Sequence, residues 1–253
     1  MSETSSEGPA QGHRTIDRVT EILETVVYRP GITFAELARE IAAPKSSVHG
    51  FVRGLLARGW LYQRDRRFYL GPAVYGLTLV SGQIRAGQVA QADLDSLHDE
   101  TGLTVFLGVE AGDHLIYIGE SGTDAFAGFG ARNNIHRSMI GTAGGKALLA
   151  ERPDAERDTY LRRQTSDSPE LVAAFLSEFP EIVKTRVATN LAYGGTQLAL
   201  ATTLHDRAGK PVAAAVLIGS ADEMRKRETK LRKALLGHVA SWAGRSVNPR
   251  EAV

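Results

Sequence analysis

The 253-residue chain predicts an α+β protein: an N-terminal winged helix-turn-helix, a linker helix and a C-terminal mixed α/β domain. Three observations carry that expectation. Helical periodicities alternate with pairs of apolar segments joined by hairpin-type turns, the pattern of helices packed on antiparallel sheet. The pair Gly71-Pro72 interrupts the chain after three short helical patterns and one basic hairpin. Charge is regional: between residues 44 and 70 Lys45, Arg53, Arg58, Arg64, Arg66 and Arg67 face only Asp65, whereas residues 89–253 hold 19 basic and 21 acidic side chains. The formal net charge of +1 hides this asymmetry.

Taken in order, residues 1–11 are small and polar, lack the basic and apolar regions of a signal peptide, and predict a disordered tail. Residues 12–72 are the expected winged domain. Ile16, Val19, Ile22, Leu23, Val26 and Val27 recur at helical spacing until Pro30-Gly31. Thr33 followed by Glu36 is a capping-box signature and opens a short helix with Phe34, Leu37, Ala38 and Ile41 inward. Pro44, expected at a first helical position, starts a third helix whose inner face is Val48, Phe51, Val52, Leu55 and Leu56, ending near Gly59. Trp60 to Tyr62 and Phe68 to Leu70 then read as two strands around the charged tip Gln63 to Arg67.

Residues 73–87 suit a linker helix and residues 88–253 a second domain. That domain opens with a helix carrying Val89, Ala92, Leu94 and Leu97, ended by Gly102 in a left-handed cap. Thr104 to Val109 and His114 to Ile118 flank the turn Ala111-Gly112-Asp113, and Gln197 to Leu204 and Pro211 to Ile218 form a second strand pair. Helices are expected near 143–150, 155–163, 168–185 and 221–243.

Several function classes are excluded or disfavoured. With no cysteine there is no disulfide, thiolate metal site or cysteine nucleophile, which is compatible with the cytoplasm, the expected location. No apolar run approaches the roughly 18 residues needed to span a bilayer, so no membrane partner is expected. Gly141 to Lys146 resembles a phosphate loop only superficially, because that motif requires glycine where Ile140 stands and a hydroxyl residue where Ala147 stands. The histidines are dispersed without helical metal spacing, and Gly119-Glu120-Ser121-Gly122 falls short of a nucleophile elbow. Neither an enzyme, a metal site nor a cofactor is expected.

A third helix that reads DNA must pack one face and present the other, at its N-terminal end, to the major groove. With the apolar face inward, Lys45, Ser46, Ser47, His49, Gly50 and Arg53 are left outside. Hydroxyls and backbone amides at a helix start suit phosphate oxygens, while His49 and Arg53 can reach base edges or backbone. Arg64, Arg66 and Arg67 at the wing tip would add salt-dependent contacts. Pattern and charge alone leave a protein-binding winged helix as the alternative.

Arg18-Val19 through Leu23, Ala35 to Ala38, Pro44-Lys45-Ser46-Ser47-Val48-His49, Leu55, Gly59 and Phe68-Tyr69-Leu70-Gly71 together resemble the IclR family of bacterial transcriptional regulators. A second stretch, Thr142-Ala143-Gly144-Gly145-Lys146-Ala147-Leu148-Leu149-Ala150, is similar to that family's Thr-Ala-x-Gly-Lys-Ala-Leu-Leu-Ala landmark. The resemblance covers essentially the whole chain. It implies a regulator, more often a repressor, with a GAF-like effector-binding domain, double-stranded operator DNA and a small-molecule effector as partners, and assembly as a homodimer or a dimer of dimers. Gly50 departs from it, because arginine is common there.

The resemblance also places an effector pocket. The glycine-rich turn Gly141 to Lys146, which enters a helix, borders it, so Ala143 and Gly144 are candidate backbone donors, and Phe106, Phe126, Phe129, Met139 and Tyr193 are candidate lining residues. Lining up Asp206 and Pro211 with the family puts Thr189 or Asn190 where an acid is frequent, Ala199 where cysteine is frequent, and Val216 and Ile218 where serines are common. These departures imply a rather apolar effector, such as an aromatic or medium-chain metabolite. A small-molecule sensor or enzyme with a protein-binding winged helix is the competing reading.

Overall fold

A computed structural model describes residues 13–41, 43–74, 89–122 and 137–243. The tail expected at 1–11, most of the linker helix expected at 73–87, and Phe126 and Phe129 lie outside the described residues. The chain divides into two compact units, residues 1–82 and 83–253.

In the first unit, helix α1 (Arg14–Tyr28) is followed by strand β1 (Ile32–Thr33), helices α2 (Phe34–Glu40) and α3 (Lys45–Ala57), and strands β2 (Leu61–Arg64) and β3 (Arg67–Leu70). The capping box forms as its spacing predicts: the Glu36 amide donates to Thr33 Oγ1 and the Thr33 amide donates to the Glu36 carboxylate at 2.9 Å. Those bonds hold the Glu36 carboxyl below the usual glutamate range, the Thr33 hydroxyl contributing most. The inner faces meet in one core of Ile22, Val26, Leu37, Ile41, Val48, Val52, Leu55, Leu61 and Phe68.

Two features differ from expectation. Pro44 is the N-cap of α3, with extended backbone (φ −54°, ψ 129°), so the helix begins at Lys45. The wing is three-stranded, in the order β1-β3-β2, because Ile32 and Thr33 pair with Phe68 and Arg67. Its tip is a two-residue turn in which Asp65 and Arg66 both take positive φ (50° and 60°), the backbone twist that a two-residue hairpin prefers. Arg64 and Arg67 therefore lie directly opposite each other.

The second unit is built on a six-stranded antiparallel sheet in the order β6-β5-β4-β9-β8-β7. Its strands are β4 (Thr104–Ala111), β5 (His114–Ser121), β6 (Arg137–Ser138), β7 (Ala188–Ala192), β8 (Gln197–His205) and β9 (Pro211–Ser220). Helices α4 (Gln91–Thr101), α5 (Ala143–Ala150), α6 (Asp154–Thr165), α7 (Pro169–Thr185) and α8 (Ala221–Trp242) complete it. Gly102 ends α4 in the left-handed region (φ 70°), as its position predicts.

Strand periodicity sorts the core onto the two faces of this sheet. Val105, Leu107, Leu198, Leu200, Ala213, Ala215 and Leu217 pack with Leu94 and Leu97 of α4 and Leu231, Leu235 and Trp242 of α8. The alternate residues Phe106, Ala199, Ala201, Ala214 and Val216 pack with Leu148 and Leu149 of α5, Tyr160 of α6 and Phe175 of α7. Helix α5 presses close to the chain before it: a Cβ at Gly145 would lie 2.3 Å from the Met139 carbonyl oxygen. Lys146, 4% exposed, reaches across α5 to the Glu178 carboxylate (2.9 Å) and the Thr189 carbonyl (3.2 Å), tying α5 to α7 and β7.

Candidate functional site

The outer face of α3 and the wing form the first candidate surface. Lys45, Ser46, Ser47, His49, Gly50 and Arg53 are all exposed, while Val48 and Val52 between them are buried. The His49 ring stands edge-on to Phe34 at 5.8 Å, so α2 braces one side of the reading face. A Cβ at Gly50 would meet nothing within 4 Å, leaving room for a larger side chain. Arg64 and Arg66 are exposed at the wing tip. Arg67 is engaged: its Nη1 donates to the Gly31 carbonyl at 2.8 Å. That bond turns Arg67 away from the cross-strand Arg64, whose charge sits instead 3.8 Å from Asp65.

The second candidate is a cavity of about 310 Å³ in the second unit, at the low end of small-molecule sites. Phe106, Tyr117, Ala199, Val216 and Ile218 supply its sheet side, Arg137, Ser138, Gly141, Thr142 and Ala143 the approach to α5, and Asn190, Ala192 and Tyr193 the β7 side. The Phe106 and Tyr117 rings stack at 4.7 Å. Local hydrogen bonds fix the loop into α5. Thr142 Oγ1 accepts from the Gly145 amide and donates to the Ser138 carbonyl, Ser138 Oγ accepts from the Gly141 amide, and Asn190 Nδ2 donates to the Gly141 carbonyl at 3.1 Å. Ala143 and Gly144, in the first turn of α5, keep amides without an intrahelical acceptor.

Polar side chains enter the lining from several elements: Tyr117, Arg137, Ser138, Thr142, Asn190 and Tyr193. Burial pushes the Tyr117 phenol up to about 12; Arg137 works against the shift and Tyr193 adds to it, so Tyr117 is a neutral hydroxyl at physiological pH. Arg137 Nε is buried and without a hydrogen-bond partner, and no acidic side chain lines the cavity among the described residues.

Of the residues expected at an effector pocket, Phe106, Ala143, Asn190, Ala199, Val216, Ile218 and Tyr193 line this cavity. Met139, Gly144 and Thr189 do not. Met139 is fully buried in the core, Gly144 packs against Val216 and Leu115, and Thr189 presents its carbonyl to Lys146. Sequence reasoning missed Tyr117 and Arg137, which enter through strand pairing: Leu115 and Arg137 are register partners, so the edge strand β6 stands beside β5. The available signal was an arginine four residues before the glycine-rich loop.

A hollow of about 370 Å³ lies at the other end of α5, but there Glu151 is already engaged by the Thr203 hydroxyl and the His205 ring. Among the described residues no cluster of three or more histidine or acidic side chains could hold a metal ion. No described helix is long and apolar enough to cross a membrane.

A winged helix-turn-helix with a basic outer face, on one chain with a cavity-bearing α+β domain, defines a two-domain DNA-binding protein of the ligand-sensing kind. Comparison with known proteins makes the class specific. The family model described as the IclR helix-turn-helix domain matches residues 15–65, and the one described as the bacterial transcriptional regulator IclR C-terminal matches residues 78–245. The chain belongs to the IclR family of bacterial transcriptional regulators, a family of regulators and not of enzymes.

Over 161 residues, 60% of this chain, it is 30% identical to the HTH-type transcriptional regulator BhcR of Paracoccus denitrificans (strain Pd 1222), a match that spans 55% of that regulator's length. Among solved structures the fold is similar to an IclR family transcriptional regulator from Brucella abortus (TM-score 0.66, 17% identity, 94% of each chain). It is also similar to the Thermotoga maritima IclR (TM-score 0.64, 20% identity, 90% of this chain and 97% of that one).

Proposed function

We propose that this chain is a sequence-specific, operator-binding repressor whose C-terminal domain binds a small metabolite with a largely apolar body, and that the metabolite alters operator affinity. The observation that carries the reading is the exposed basic face of α3 and the wing, set in a chain whose second unit is balanced in charge. Lys45, Ser46, Ser47, His49 and Arg53 enter the major groove, and Arg64 and Arg66, with Arg67 beside them, meet phosphates. In this reading residues 12–72 read DNA, 73–87 link, and 88–253 sense. The open space over Gly50 lets the helix approach the groove closely.

Dimerisation through the winged domain is supported by α1. Ile16 is 62% and Val27 46% exposed, and with Val19 and Leu23 they form one apolar stripe. A second copy would cover it, and a dimer of dimers would follow through the remaining surfaces. The apolar body of the effector is supported by Phe106, Ala199, Val216 and Ile218 in the cavity wall. Ligand in the cavity would contact the loop into α5, which Asn190 and Lys146 tie to β7 and α7, and this supplies a physical element through which occupancy acts.

The test is a reporter gene driven by the upstream region of the chain's own gene. Expression of the wild type should lower its output, and a variant with Lys45, His49 and Arg53 changed to Ala should not. Raised output would overturn repression. Equal output with both proteins would overturn the DNA-reading assignment.

A further inference from the structure

We infer that the hollow of about 370 Å³ at the far end of α5 is a second ligand site, and that it takes an α-amino acid with an apolar side chain, the ammonium held by Glu151 and the carboxylate by Arg186. Its lining shares no residue with that of the 310 Å³ cavity, so neither DNA reading nor the effector of that cavity enters the assignment. The last turn of α5, the end of α7 and strand β8 enclose the hollow. Ala147, Ala150, Ile182 and Val183 supply its apolar wall, and Glu151 and Arg186 bring opposite charges to it.

The fold sets each of these charges in place. Glu151 is the C-cap of α5, whose last turn carries no basic residue, so its carboxylate stands at the negative end of a helix dipole, where a cation is the favoured neighbour. The Thr203 hydroxyl and the His205 ring donate to its two oxygens. Those bonds orient the carboxylate without saturating it, because a carboxylate offers about four acceptor positions. The Glu151 side chain remains 33% exposed and so stays open to a further donor. Arg186 is the C-cap of α7 in the left-handed region (φ 59°), where glycine is the usual residue. The Thr202 hydroxyl fixes that cap by donating to the Arg186 carbonyl at 2.6 Å. A long cationic side chain is thus kept where the backbone favours none, and it is exposed.

Glu151 and Arg186 line one hollow without forming a salt bridge to each other; the partner of Glu151 is His205. Opposite charges held apart beside an apolar wall are complementary to a zwitterion. An ammonium has three donors for the carboxylate and the helix end, and a carboxylate matches the planar fork of a guanidinium. A simple amine would leave Arg186 unmatched, and a simple acid would meet the charge of Glu151. The hollow is at the low end of small-molecule sites in volume, which suits a ligand of amino-acid size.

The test is calorimetric titration of the full chain at pH 7 with L-leucine, L-methionine and L-phenylalanine, each beside its carboxamide, which has the same shape and keeps the ammonium. At least one amino acid should bind about ten- to a hundredfold more tightly than its amide, the range for a charge-assisted hydrogen bond. Glu151→Gln and Arg186→Gly should each weaken that amino acid at least tenfold. Without ligand, Arg186→Gly should melt no lower than the wild type, because glycine suits the left-handed backbone, so its lost binding is not lost folding. Ile218→Trp, which narrows the other cavity, should leave the amino-acid affinity unchanged.

An amide that binds as tightly as its amino acid would overturn the role of the ligand carboxylate. Wild-type affinity in a folded Arg186→Gly or Glu151→Gln protein would overturn the site, as would a loss confined to Ile218→Trp, which would put the amino acid in the other cavity. Failure of all three amino acids to bind would overturn the proposal as a whole.

Discussion

The three wing arginines divide into two kinds, and this division can be measured. Arg64 and Arg66 are exposed beside the positive-φ turn, whereas Arg67 is held by the Gly31 carbonyl at 2.8 Å. Each phosphate contact steepens the dependence of log K on log salt by about 0.9. Replacing Arg64 and Arg66 by alanine in a dimer removes up to four contacts, so the slope should flatten by as much as about 3.6. Between 50 and 200 mM salt that corresponds to roughly a hundredfold smaller loss of affinity.

Arg67→Ala should act differently. It removes the strap between β3 and the Gly31 turn, which costs about 1 kcal/mol, or roughly 5 °C for a domain of this size. The chain has two tryptophans, Trp60 in the first unit and Trp242 in the second, so Trp60 fluorescence in a Trp242→Phe background follows the winged domain. Anisotropy titrations with a labelled duplex at several salt concentrations give the slope. If Arg67→Ala flattens the slope as much as Arg64→Ala does and leaves the Trp60 melt unchanged, the division is refuted.

Two further outcomes follow from the packing. Gly145→Ala would force a Cβ to 2.3 Å from the Met139 carbonyl oxygen, a backbone atom that cannot rotate away, so urea unfolding followed by Trp242 should show a loss of about 3 kcal/mol; an unchanged midpoint would contradict that close approach. Thr33→Ala should cost about 1 kcal/mol through loss of the α2 cap. Because the capped Glu36 carboxyl lies below its ordinary value of 4.5, its contribution is present at pH values above 4.5 and is lost as acid takes the pH down through the lowered value. The gap between the Trp60 melts of wild type and Thr33→Ala should therefore narrow as the pH falls below 4.5, the part carried by the Glu36 amide bond to Thr33 Oγ1 remaining, and a constant gap down to pH 2 would contradict the contribution of the Glu36 carboxylate.

Local signals in the sequence were sufficient for much of this fold, and non-local ones were not. The capping box at Thr33 and Glu36 and the left-handed cap at Gly102 depend on a few neighbouring residues and form as expected. Strands β1, β6 and β7 were not anticipated. The first two are two residues long, and Ala188 to Ala192 lacks a β-branched run and becomes a strand through its pairing with β8. The same distinction governs the cavity. Positions on long strands, such as Phe106, Ala199 and Val216, were reached through family resemblance, but Arg137 joins them only because β6 pairs at the sheet edge beside β5. Gly144, expected with Ala143 as an amide donor, is small because α5 packs on the sheet at Val216 and Leu115, and Gly145 because α5 packs on the Met139 backbone.

The central claim, that this chain reads DNA through the α3 face and wing, is tested most directly by titrating the full protein into two labelled duplexes of equal length, one from its own upstream region and one with that sequence scrambled. Affinity for both should fall steeply between about 50 and 200 mM salt while the preference for the upstream sequence persists. His49→Ala should reduce that preference without changing the slope. Absence of binding to either duplex at 50 mM salt, or equal affinity for the two at every salt concentration, would contradict the account.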